Sequence, residues 1–170
     1  MNYFKNCLEI LNWLATVSFR FRPKSNEAVE KGLLLAETFD KLSLKEKSEI
    51  VKILPSGLDM KLLALSGFMA EAAINKKNAD YIKGALVLHL LENFRRDYRE
   101  NIRYIVLIAF AANEIGINFS SVIDSLSDVA SVEAKRHLNN FSARDKNLNK
   151  LSSFGIKAEV VDGIFYFSQL

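Results

Sequence analysis

One cysteine, two prolines, seven glycines and two histidines are spread over 170 residues, and each scarcity removes a class of protein. Cys7 alone excludes an intrachain disulfide and a multi-cysteine zinc site, and it fits a reducing, cytoplasmic setting. With only Pro23 and Pro55 as breaks, and few glycines to take positive φ, the runs of Leu, Ala, Lys, Glu and Asn favour helix. The longest apolar run, Tyr104 to Ala112, is about half of the roughly 20 residues that cross a bilayer. Glu9 and Asn12 interrupt the apolar N-terminal stretch where a signal peptide needs continuity, so no membrane association is expected.

Catalytic signatures are equally scarce. There is no phosphate loop, dinucleotide glycine fingerprint, nucleophile elbow, zincin motif or Ser-x-x-Lys pair. His89, inside "ALVLHLLENF", reads as a buried imidazole near Glu92, whereas Glu133 and His137 are spaced as a surface pair on a helix. One such pair does not complete a metal site. The expectation is therefore no catalytic residue, no metal and no cofactor. A helical enzyme of unrecognised type would have to use a nonstandard carboxylate site, with Glu71, Asp80 or Glu100 as examples.

What is present is helical patterning. Phe4, Leu8, Leu11, Trp13, Leu14 and Val17 predict a first helix over about residues 2 to 18, stopped by "FRFRPKSN". Ser25 or Asn26 starts a second helix whose apolar residues are Val29, Leu33, Leu34 and Phe39. Ser43 and Glu46 stand at capping-box spacing, and Pro55 ends this third helix after Leu54. Asp59 is expected to cap a fourth helix, and Asn78 or Asp80 a fifth. "YIVLIAFAA" reads as the buried central helix, closing at Gly116 and Ile117 with a Schellman ending. Short helices follow, one around Phe119 to Val129, one capped by Ser131 and carrying Val132, Leu138 and Phe141, and one over about residues 145 to 154.

The tail changes period. "KAEVVDGIFYFS" alternates around Asp162 and Gly163, a type I′ signal for a β-hairpin at 157–168, with Val160 opposite Phe165 and Ala158 opposite Phe167. Together these elements predict a mainly α chain, residues 1–170 forming a single helical domain. Its expected architecture is a compact multi-helix array with the C-terminal hairpin, and stacked helical pairs of the solenoid kind are the alternative.

Charge is uneven even though 23 basic and 20 acidic residues leave a net charge of only +3. "ENFRRDYRENIR", residues 92–103, holds four arginines and three acids; the Glu92, Arg96, Glu100, Arg103 ladder reads as a charge-paired corner between two core helices. "AANEIGINFSSVIDSL" has the spacing of a helix-turn-helix corner, but its second helix offers Asp124 and Asp128 and no cation to meet phosphate. Positive charge concentrates in segments 19–24 and 135–150, the first interleaved with Phe19 and Phe21. These two segments are the basis of a nucleic-acid-binding alternative, which predicts affinity falling steeply with salt.

In size, helix density and absence of catalytic chemistry, the chain resembles small all-helical bacterial proteins of the immunity and adaptor type, which act by binding another protein. No residue motif carries that resemblance, so it transfers no site. It implies a noncatalytic protein-binding module with a protein partner, possessing the capacity to inhibit or neutralise it. Arginine is a favoured interface anchor, which makes Arg20, Arg22, Arg95, Arg99, Arg136 and Arg144 the candidate partner-binding residues. An apolar face left uncovered would serve equally as a homo-oligomer contact.

Overall fold

The computed structural model describes residues 2–17, 25–54, 57–93, 102–142, 145–153, 155–162 and 164–170. The described helices are α1 (Tyr3–Thr16), α2 (Ser25–Asp40), α3 (Leu44–Ile53), α4 (Leu58–Lys76), α5 (Ala79–Asn93), α6 (Ile102–Glu114), α7 (Phe119–Asp124), α8 (Asp128–Ser142) and α9 (Asp145–Ser153). A two-stranded antiparallel sheet, β1 (Ile156–Val161) and β2 (Ile164–Gln169), closes the chain. The protein is mainly α, and nearly all of its described buried apolar residues form one contiguous core from Cys7 to Ile156. Among the described residues, no helix is long and apolar enough to cross a membrane.

Short-range chemistry sets many of the element ends. Ser43 and Glu46 form the reciprocal capping box, with Ser43 Oγ accepting from the Glu46 amide at 3.2 Å and Glu46 Oε1 accepting from the Ser43 amide at 3.1 Å. Asn78 Oδ1 accepts from the Asp80 amide at 2.9 Å at the start of α5. At the end of α6, Gly116 takes φ 74°, its amide donating to Asn113 O and that of Ile117 to Ala112 O, which is the Schellman pair. In the hairpin Asp162 takes φ 53°, as the first central residue of a type I′ turn requires, and Val160 faces Phe165 while Ala158 faces Phe167.

Other ends and faces differ from the sequence reading. Asp59 is already helical, and Gly57, left-handed at φ 88°, occupies the cap position of α4 instead. Ser131 lies inside α8, which begins after Ser127, and Val132 is exposed. The central helix is α5 and not α6. From Ala85 to Leu91 every residue of α5 is buried, and the helix touches α2, α3, α4, α6, α7 and α8. A helix apolar on all sides is the one that can be surrounded. On α6, Leu107 reaches solvent, so "YIVLIAFAA" covers the core from outside. Contacts such as α2 with α5 skip over intervening elements, which makes the array globular and not a solenoid of nearest neighbours. The charged corner at 94–101 lies outside the described residues.

Candidate functional site

Helix α2 carries "GLLLAETFD", and consecutive residues on a helix are about 100° apart, so Leu33, Leu34 and Leu35 cannot share one face. The side facing the core consists of Ala28, Val29, Gly32, Leu35, Ala36 and Phe39. Leu33 is half-buried at the edge, and Leu34, one of the apolar residues by which the sequence marks this helix, remains 47% exposed. Around it stand Glu27, Glu30 and Glu37, all exposed. These residues, with Lys31, line an open groove on α2. Through Leu33 and Glu37 it adjoins a hollow between α2 and α5, lined by Ala36 on the α2 side and by Asp80, Lys83, Gly84 and Val87 of α5.

The two walls are held from below and at both ends. Met69 of α4 rises between them, its Sδ 2.8 Å from where a Cβ on Gly32 would sit and its Cε 2.4 Å from that of Gly84. Glycine at both positions is what admits the thioether between α2 and α5. At one end Tyr81 of α5 donates to Glu30 Oε1 of α2 at 3.0 Å, and Lys76 donates to the Tyr81 hydroxyl at 3.2 Å. At the other end Lys83 Nζ lies 3.8 Å from Asp40 Oδ2 and donates to Ser125 O at 3.0 Å.

Asp40 is also the centre of a buried polar junction. Its carboxylate accepts from the Ser127 hydroxyl at 2.7 Å and the Ser127 amide at 3.1 Å, joining the end of α2 to the start of α8. Lys47 of α3 is fully buried beside it, donating to Asp40 O at 3.4 Å and Ser127 Oγ at 3.3 Å, with the Phe39 ring 5.5 Å away. Burial pushes the Lys47 ammonium below its ordinary range, and Asp40 opposes that effect. Nearby, the Cys7 thiol donates to Thr38 Oγ1 at 3.3 Å and is raised by burial. Lys47 was missed from sequence although the signal exists: positions 47, 50, 51 and 54 are one helical face, otherwise Ile, Val and Leu. A lysine on such a face is a buried polar group that needs partners, and Asp40 and Ser127 supply them.

The other candidates fall as follows. His89 is completely buried and its imidazole is pushed down to about 3 by loss of hydration, so it is neutral and shielded at ordinary pH. That state is unsuited to a solvent-accessible general base. Glu71 and Asp80 are exposed on different helices, and no metal-binding cluster of His, Cys, Asp or Glu occurs among the described residues. Of the predicted binding arginines only Arg136 is described; it is exposed on α8 and pairs with Glu133, Nε donating to Oε2 at 3.2 Å. Lys135 likewise lies 3.6 Å from Asp124. Arg20, Arg22, Arg95, Arg99 and Arg144 lie outside the described residues, as do the side chains of Glu92 and His137. On the six-residue α7, Phe119, Val122 and Ile123 turn into the core, and the exposed residues include Asp124. The helix-turn-helix spacing thus forms a packed corner here.

No family model, no curated protein and no solved structure matches the chain.

Proposed function

We propose that this chain is a noncatalytic protein-binding module, of the immunity or adaptor kind, that receives its partner on the groove between α2 and α5. The observation that carries the reading is Leu34. A single exposed leucine is ordinary, but this one lies among Glu27, Glu30 and Glu37 in an open depression of α2 that adjoins, through Leu33 and Glu37, the hollow between α2 and α5, and the two helices are fixed by Met69, Tyr81 and Lys83. An apolar centre within a polar rim is the anatomy of a protein interface, and a rigid site loses little entropy on binding. The acidic rim disfavours nucleic acid at this face, since phosphate would meet like charge.

The test is co-purification of the tagged chain from its native cells after nuclease treatment, comparing wild type with Leu34→Asp and with Met60→Asp. Met60 is 58% exposed on α4 and serves as a control for any added surface charge. The expected outcome is a stoichiometric protein partner kept by wild type and Met60→Asp and lost by Leu34→Asp. A partner retained equally by all three would remove the groove as the binding site.

A further inference from the structure

We infer that the groove's occupant is a cationic amphipathic helix of a partner protein, an inference that rests on the groove being the binding site. Four acids, Glu27, Glu30, Glu37 and Asp80, line it against two lysines, in a chain whose overall charge is +3. Lys83 is held by Asp40 and Ser125, Lys31 lies over the Trp13 ring at 5.7 Å and keeps its charge, and Glu30 lies 3.8 Å from Lys76, so the negative charge of the face rests on Glu27, Glu37 and Asp80. The face is therefore locally negative on a globally positive molecule. A partner complementary to it presents Lys or Arg at the rim and an apolar residue against Leu33 and Leu34.

The shape of the groove selects a helix. Helices α2 and α5 satisfy their own backbone hydrogen bonds and offer no strand edge to an extended peptide. Two packed helices do leave a furrow between their side-chain ridges into which the ridge of a third can settle. From Glu27 to Glu37 the acidic wall runs for about 15 Å at 1.5 Å per residue, which corresponds to roughly three helical turns of the partner. A second copy of this chain would have to bring its cations from elsewhere than α8, where Lys135 and Arg136 already face Asp124 and Glu133.

The probe is a pair of fluorescein-labelled helical peptides of about four turns, each with leucine along one face, one with lysine and the other with glutamate at the remaining positions. Affinity is read by fluorescence anisotropy, and the site by amide chemical-shift changes in the isotopically labelled full chain. The leucine-lysine peptide is expected to bind wild type, to shift resonances of α2 and α5, and to weaken by about tenfold or more on Glu27→Lys/Glu37→Lys and on Leu34→Asp. The leucine-glutamate peptide is expected not to bind. Both substituted glutamates are exposed, and unchanged circular dichroism and melting would show that the variant is folded.

Equal binding of both peptides, binding indifferent to the charge reversal, or shifts confined to other helices would overturn the cationic-helix occupant. So would wild-type self-association, seen by light scattering and abolished by Glu27→Lys/Glu37→Lys, because the occupant would then be a second copy. If the peptides fail while capture of the native partner still depends on Leu34, the groove stands and only its occupant is wrong. If capture is also indifferent to Leu34, both readings fall.

Discussion

Replacing His89 tests the burial at the centre of the molecule through its pH dependence. The imidazole is held at about 3 in the folded protein against an ordinary value of 6.5, because the charged form would have no water around it on α5. Between those values the unfolded chain binds a proton that the folded chain refuses, so stability is fully present above pH 6.5 and falls as pH drops toward 3. At pH 4.5 the unfolded histidine lies about two pH units below its pKa while the folded one is still mostly neutral. At about 1.4 kcal/mol per unit, this amounts to about 3 kcal/mol. The measurement is urea unfolding followed by circular dichroism at pH 7 and pH 4.5 for wild type and His89→Gln, the variant having no imidazole to titrate. Other groups contribute to both proteins, so the informative quantity is the difference of differences, with wild type losing about 3 kcal/mol more than the variant. Parallel losses would refute the account, as would an imidazole proton resonance assigned to His89, and absent from His89→Gln, that titrates near pH 6.5 in the folded protein.

The remaining predictions concern packing and the polar junction. Asp40→Ala removes the acceptor for Ser127 and Lys83 and leaves Lys47 buried without its counter-charge, so it should cost about 3 kcal/mol or more in chemical unfolding. Lys47→Met keeps the volume and removes the buried charge, and should cost less than about 1 kcal/mol or stabilise; an equally large loss would mean the lysine itself holds the junction together. Gly84→Ala drives a Cβ against the Met69 thioether methyl and so should forfeit much of the roughly 1 kcal/mol that alanine gains over glycine in a helix, a gain recovered when Met69 is shortened; a thermal-melt double-mutant cycle with Met69→Ala should be clearly non-additive. Gly155→Ala forces a side chain to φ 76° within 2.9 Å of Asn113 Oδ1, and its melting temperature should fall by an amount corresponding to about 1 to 2 kcal/mol.

What could be read from the sequence shares one property, which is locality. The capping box of Ser43 and Glu46, the Asn78 cap, the Gly116 ending and the hairpin turn at Asp162 each depend on residues a few positions apart, so their chemistry is complete in a short window. His89 was also placed correctly in the interior, because its neighbours in sequence are apolar. The functional groove was legible only in part. Three consecutive leucines in α2 imply that one must turn outward, since a helix turns about 100° per residue.

Which leucine does so was decided by tertiary structure, through the positions of α4 and α5. Gly32 faces Leu65 and Met69, which orients α2 so that Leu35 is enclosed and Leu34 is left at the surface. The same holds for α6, whose sequence is apolar enough to be central but whose Leu107 side finds no covering helix among the described residues, and for Lys47, whose partners Asp40 and Ser127 lie on other elements. The sequence by itself determined the mainly α class, the final hairpin with its register, and several element ends, because propensity, period and capping act over a few residues. Only the tertiary structure decided which helix is surrounded, which faces meet, and that Asp80 and Lys83 of α5 come beside Leu33 and Glu37 of α2, because packing joins residues that periodicity cannot pair.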